Sequence, residues 1–69
     1  MNVYVVAKGV RDSGQWPVRV FTSLPDAKRF ATQQWNVELH REDLTAWKAT
    51  WNGRDEIWIH RVELWGKRP

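Results

Sequence analysis

Apolar and polar residues alternate along the first third of the chain in a way that predicts a β-hairpin. Residues 3–7 are β-branched, aromatic or small and read as a strand that is apolar on both faces, which favours a central place in a sheet. Residues 16–21 follow the two-residue period of a second strand, after turn residues at 12–14. Pro17 has no amide hydrogen to donate, so this second strand is expected at the sheet margin.

A helix is predicted from about residue 24 to residue 35. Ser23 can accept a hydrogen bond from an orphan amide of the first turn, Pro25 is tolerated there, and Asp26 suits the positive end of the helix dipole. Asn36 is a plausible stop. An apolar stripe at helical spacing predicts the face that packs on the sheet, and it consists of Ala27, Phe30, Ala31 and Trp35.

The last third of the chain predicts a second hairpin. Residues 36–44 are mixed in character and read as a loop, whereas Asn52-Gly53 separates two strand-like runs, 45–51 and 54–64, and favours a two-residue type I′ turn. That turn sets Trp47 opposite Trp58. One face then carries Trp47, Ala49, Trp51, Trp58, Val62 and Leu64. A bulge of one residue would instead set Ile57 and Ile59 beside Trp47 and expose Trp58. We prefer the first register.

The predicted fold is therefore α+β, a four-stranded antiparallel sheet (ββαββ) with one helix packed on one face. A right-handed crossover favours the strand order 2-1-3-4. Residues 1–65 are expected to form a single domain, with a basic tail at 66–69. The chain has no cysteine, no apolar run long enough to cross a bilayer and no signal-peptide pattern, so we expect a complete, soluble cytoplasmic protein that does not bind membranes.

The residues available for catalysis are few. Ser13 and Ser23 lie in a turn and at a helix cap, and neither has the context of a nucleophile. His40, with Glu42, Asp43 and His60, is the one conceivable metal or acid-base group, but the spacing matches no zinc or facial-triad pattern. The glycines are scattered and form no phosphate-binding loop. We expect a non-enzyme that requires no metal and no organic cofactor.

Composition favours binding. The chain has six tryptophans and a formal net charge of +3, and tryptophan and arginine are the residue types enriched at interface hot spots. Trp35, Trp47 and Trp51 are expected in the core, whereas Trp58 and Trp65 are expected to meet a partner. A solvent-exposed sheet face that mixes aromatic and basic residues would suit single-stranded nucleic acid. The residues expected on that face are Tyr4, Lys8, Arg19, Phe21, Lys48 and Arg61.

The chain also resembles a known group of proteins. The resemblance is carried by Val3-Tyr4-Val5-Val6, Val20-Phe21-Thr22-Ser23, Ala27 with Phe30-Ala31, Ile57-Trp58-Ile59 and Val62-Glu63-Leu64. This pattern is similar to that of small uncharacterised ββαββ proteins common in bacteria and their phages. The composition resembles that of early proteins of phages that infect high-GC actinobacteria, which often bind a host protein. Residues 21–27 also look like the strand-to-helix step of phage integrase arm-site DNA-binding domains, which usually have three strands before the helix where this chain shows two.

These observations favour a small non-catalytic accessory protein that binds a partner protein. The resemblance implies that the partner is a host protein, met in the host cytoplasm and inhibited or recruited. The surface expected to bind it is rich in tryptophan and arginine and consists of Trp58, Trp65, Arg61, Tyr4, Arg19 and Lys48. Two alternatives remain: nucleic-acid binding by the exposed sheet face, and homodimerisation through the same surface.

Overall fold

In the computed structural model, which describes residues 1–10 and 13–64, a helix packs against a five-stranded antiparallel sheet. The elements are β1 (Asn2–Val10), β2 (Gly14–Phe21), α1 (Leu24–Trp35), β3 (His40–Asp43), β4 (Ala46–Trp51) and β5 (Asp55–Glu63). The strand order is β2-β1-β5-β4-β3. The α+β class and the helix on a sheet are thus as predicted, but the sheet has five strands rather than four.

Helix α1 begins and ends where the sequence predicts. Ser23 has extended backbone angles, and its Oγ accepts a hydrogen bond of 3.4 Å from the Asp26 amide. Asn36 adopts the left-handed conformation, with φ of 54°, and its amide donates to the Thr32 carbonyl oxygen at 2.8 Å. The chain can therefore leave the helix at a residue type that tolerates positive φ.

The core lies between α1 and one face of the sheet. Val6, Ala27, Trp47 and Ile59 are buried and form its centre. Partly buried side chains pack around them, and these are Tyr4, Phe21, Leu24, Phe30, Trp35 and Leu39. The predicted helix stripe is confirmed, since Ala27 and Ala31 have no exposed surface. Of the three tryptophans expected in the core, Trp47 is buried, Trp35 packs on its edge, and Trp51 is half-buried.

The strand order and the loop at residues 36–44 are corrected by the structure. Residues His40–Asp43 form β3, which pairs with β4 at one edge of the sheet. The chain then returns through β4 to β5, and β5 pairs with β1 over nine residues from Asn2 to Val10. The two longest strands thus lie side by side in the sheet, which gives the longest ladder of backbone hydrogen bonds. The predicted order would have placed the shorter strand β4 beside β1.

The preferred register of the second hairpin is wrong, and the bulged alternative is the one observed. Asn52 and Gly53 both have positive φ, 51° and 76°, as a type I′ turn requires, and the Arg54 amide donates to the Trp51 carbonyl at 3.3 Å. The Asn52 side chain then accepts from the Asp55 amide at 3.3 Å. Strand pairing resumes between Trp51 and Asp55, so Arg54 is the extra residue.

That one extra residue reverses the two faces of β5. Trp47 lies opposite Ile59, and Lys48 lies opposite Trp58. Ile57 and Ile59 face the helix side and are fully buried, whereas Trp58 faces away from the core. A shift of one residue exchanges every side chain of a strand between faces. The expected tryptophan face, with Trp58, Val62 and Leu64 beside Trp47, is therefore not formed.

Candidate functional site

The sheet face opposite α1 is the candidate site, and we call it the open face. Directly paired residues of antiparallel strands share a face, so the register assigns its members. They are Val3, Val5, Ala7 and Gly9 of β1, Glu56, Trp58, His60 and Val62 of β5, Ala46, Lys48 and Thr50 of β4, His40 of β3, and Gln15, Pro17 and Val20 of β2. Within residues 1–10 and 13–64, the helix packs against the other face.

Two stacked rings lie in the middle of the open face. The Trp58 and His60 rings are 5.3 Å apart between centroids, with 8° between their planes. Ala7 lies opposite Trp58 on β1, and Ala46 lies opposite His60 on β4. Both alanines are about 95% buried although α1 packs on the other side. These small residues leave room for the Trp58 and His60 rings, which lie over the sheet and bury the two alanines.

The polar groups around the rings are paired with one another. Lys48 Nζ lies 3.7 Å from a Glu56 carboxylate oxygen and 5.3 Å from the centre of the Trp58 ring. Trp58 Nε1 donates a hydrogen bond of 3.2 Å to the other Glu56 oxygen. His60 Nε2 and Gln15 Oε1 are 2.8 Å apart, which joins β5 to β2 across β1. Lysine and glutamate therefore neutralise each other beside the rings.

An apolar surface adjoins the rings, and we call it the valine patch. It consists of Val3, Val5, Val20 and Val62, of which Val3 pairs with Val62 and Val5 pairs with Val20. Val20 is 55% exposed and Val62 is 40% exposed. A shallow depression of about 360 Å³ lies beside the patch, lined by Val5, Ala7, Gln15, Trp16, Pro17, His60 and Val62. Exposed valines grouped on one face are typical of a surface that meets another molecule.

The two edges of the sheet are poor templates for an added strand. Edge strand β2 contains Pro17 and a register shift opposite Val6 and Ala7, so its ladder is interrupted, as predicted for a marginal strand. Edge strand β3 has four residues, all exposed and polar or charged. Short, charged and bulged edges prevent strand-to-strand association. The open face, rather than an edge, is therefore the available apolar surface of the described sheet.

Two of the residues predicted to bind a partner lie on the open face, and three do not. Lys48 and Trp58 face each other across β4 and β5 on this side. Tyr4 packs edge-on against Trp47 in the core, with 6.2 Å between ring centroids, and Arg61 lies opposite Tyr4 and so shares the helix side. Arg19 stacks over Phe30 of α1 at 5.1 Å.

Of the six residues expected on the exposed sheet face, Lys48 lies there, whereas the other five lie on the helix side. Phe21 packs against Phe30, with 5.5 Å between centroids. Lys8 lies over the Trp51 ring at 4.7 Å and 4.0 Å from an Asp55 carboxylate oxygen, on the helix side. Trp65 lies outside the described residues. The predicted surface is divided between the two sides of the sheet.

Sequence reasoning missed the valine patch and the Gln15–His60 pair. A usable signal was present for the valines, since residues 3–7 are apolar at every position. A strand with two apolar faces and a helix on one of them leaves the other face apolar. No comparable signal points to Gln15 and His60, because they are 45 positions apart and meet only through the register.

The residues considered for metal or acid-base chemistry do not form a cluster. His40 lies opposite Lys48 and His60 lies opposite Ala46, on different strands. In the part of the chain that the structure describes, no three histidine or carboxylate side chains are placed to hold a metal ion. Helix α1, with 12 residues, is too short and too polar to cross a membrane, and the described residues contain no other candidate span.

The fold and the site together define a small open-faced α+β sandwich with an apolar sheet face. Comparison with protein families, with curated proteins and with solved structures gave no match to this chain. The resemblance to phage and bacterial ββαββ proteins therefore stays a prediction, and the functional argument depends on the open face.

Proposed function

We propose that this protein is a non-catalytic binding module that binds another protein through the open face of its sheet. The observation that carries the proposal is the valine patch, which is exposed on the open face, with the two stacked rings between it and the paired Lys48 and Glu56. Protein interfaces combine an apolar centre, in which aromatic residues are enriched, with a polar rim. The valines and the Trp58 ring match the centre, and the Lys48–Glu56 pair matches the rim.

Charge favours a protein over a nucleic acid as the partner. Phosphate groups bind to lysine and arginine side chains that can exchange their counterions for the phosphate. Among the open-face positions in the described strands, Lys48 is the only residue of either type, and Glu56 already neutralises it. The arginines Arg19, Arg41 and Arg61 lie on the helix side or at its margin. An uncharged, apolar protein surface fits the open face better than a polyanion does.

The rings supply rigid contact area for such a partner. Trp58 is held by the Glu56 hydrogen bond, by the His60 ring and by Lys48 above it. A side chain that is already fixed loses little conformational entropy on binding. Tryptophan in this state is the kind of residue that dominates interface energetics. The partner is therefore expected to contact Trp58 and the neighbouring valines together.

Two matched double variants test the proposal. Val20→Glu with Val62→Glu charges the open face, and Gln33→Glu with Gln34→Glu makes the same change on exposed positions of α1, so both change the net charge equally. Each variant is tagged, checked for folding by circular dichroism and used to capture proteins from a nuclease-treated lysate of bacteria that also produce the untagged chain. We expect at least one protein captured by the wild type to be lost with the open-face variant and retained with the helix variant.

Two results would overturn this function. In the first, the open-face variant captures every protein that the wild type captures, which would place binding elsewhere. In the second, the wild type captures proteins from an untreated lysate but none from the nuclease-treated lysate, which would make nucleic acid the ligand.

A further inference from the structure

We propose that the protein bound at the open face is a second copy of this chain, packed face to face across a two-fold axis. The inference depends on the proposed function, because it names the partner for the same surface. Three features carry it: the size of the face, the distribution of charge, and the arrangement of the valines.

The open face is no larger than one side of a standard dimer interface. Five strands, with about 4.8 Å between neighbours and about 3.3 Å per residue, cover roughly 550–600 Å² of the sheet plane. The side chains that project from this plane add to its accessible area. Each partner of a standard protein interface buries about 800 Å². A face-to-face dimer would thus use nearly the whole open face and would leave no large apolar area uncovered.

The charge distribution allows two positively charged copies to meet at this face. The chain has a formal net charge of +3, and like charges set against each other across an interface are unfavourable. On the open face, Lys48 is paired with Glu56, so the surface of each copy is locally neutral there. A strongly charged partner would meet no opposite net charge on this face. A second copy presents the same uncharged surface and is therefore not repelled.

The valine patch suits an interface in which both partners contribute the same residues. A two-fold axis through the patch sets Val20 and Val62 of one copy against the same valines of the second copy. Two sheets then pack about 10 Å apart, as in β-sandwiches, with a helix on each outer face. Valine side chains have few rotamers and lose little freedom in such a layer. The polar positions of β4, Lys48 and Thr50, lie toward the rim.

Sedimentation velocity over a series of protein concentrations tests the inference. We expect a species of twice the 8.2 kDa chain mass for the wild type and for the helix variant Gln33→Glu with Gln34→Glu. The open-face variant Val20→Glu with Val62→Glu sets like charges against each other across the axis and should raise the dimer dissociation constant at least about tenfold. Because the chain has no cysteine, Val62→Cys adds a second probe. Under oxidation it should crosslink two copies, whereas Gln33→Cys should not.

The outcomes separate this inference from the proposed function. A wild type that stays monomeric at every concentration, yet captures another protein through the open face, overturns the second-copy inference alone. Monomers without any capture that depends on the open face overturn both. A dimer that persists in the folded open-face variant, with no crosslink through Val62→Cys, overturns the second-copy inference by placing the dimer contact elsewhere.

Discussion

Gln15 and His60 meet over an intervening strand, with 2.8 Å between Gln15 Oε1 and His60 Nε2. Gln15 belongs to β2 and His60 to β5, and β1 lies between them. The contact therefore ties the marginal hairpin strand to the middle of the sheet by side chains, in addition to the backbone ladders. Its strength can be measured directly.

We expect Gln15→Ala to lower the free energy of unfolding by about 0.5–1 kcal/mol, the usual net contribution of one hydrogen bond at a surface. His60→Ala should cost more, because it also removes the ring stacked on Trp58. In the double variant, the loss should be smaller than the sum of the two single losses by about 0.5 kcal/mol. Urea unfolding followed by tryptophan fluorescence provides the three values. Strict additivity would contradict the predicted coupling.

Gly9 lies inside β1, where a methyl group has no room. A Cβ added there would overlap the carbonyl oxygen of Gly14, a backbone atom that cannot rotate away. We expect Gly9→Ala to destabilise the protein by about 3 kcal/mol, at the high end for overpacking. Gly53→Ala is the matched control, since a Cβ there meets nothing and the cost is the positive φ alone, about 1–2 kcal/mol. Thermal unfolding should rank the two variants in this order.

Two substitutions at the N-cap of α1 test its contribution to stability, because one removes the side-chain acceptor and the other replaces it. Ser23→Ala removes the side-chain acceptor of the Asp26 amide and should lower stability by about 0.5–1 kcal/mol, since the bond is long at 3.4 Å. Ser23→Asp keeps an acceptor and adds a negative charge at the helix N-terminus, so its stability should match or exceed that of the wild type. Equal losses for alanine and aspartate would contradict a stabilising role for the side-chain acceptor at this position.

Phe30 links the helix to the marginal strand β2. Its ring packs against Phe21 and Trp35, and Arg19 stacks on it. Phe30→Ala should cost about 3 kcal/mol, the low end for this substitution, because the ring is only partly buried. Gln33→Ala, on the exposed side of α1, should change stability by less than about 0.5 kcal/mol. A small effect of Phe30→Ala in urea unfolding would contradict the packing of α1 on β2.

Local signals made the helix predictable. Its cap, its stop and its apolar stripe depend on residues close together in the sequence, and all of them are as predicted. The marginal position of β2 also followed from one local property, the missing amide hydrogen of Pro17. Where one residue type decides the conformation of its own segment, the sequence is sufficient.

The pairing of the strands could not be predicted in the same way. Asn52 and Gly53 adopt the expected positive φ angles. The Asn52 side chain, however, accepts a hydrogen bond from the Asp55 amide, and the turn includes Arg54 as a third residue. The two registers thus differ by one residue in the turn, Arg54. It decides whether Trp58 lies in the core or on the open face, and with it the composition of the candidate site.

Strand β3 could not be identified because its stability comes from its neighbours. Its four residues are polar and exposed, without the alternation that marks a strand. Arg41 lies 5.9 Å from the centre of the Trp47 ring and donates to the carbonyl oxygens of Asp43 and Leu44. The contact with Trp47 exists only once β4 is in place. The missing strand also concealed the true strand order, since it moves β4 away from β1.

The pairing of β1 with β5 has a consequence for the synthesis of the protein. β1 and β5 are separated by more than half the sequence, and Ile57 and Ile59 on β5 complete the buried side of the sheet. While the ribosome is still adding residues before position 55, the β1–β2 hairpin and α1 have only part of their apolar partners. The amino-terminal half is therefore expected to remain unfolded until β5 has emerged. The sheet should then form in one cooperative step.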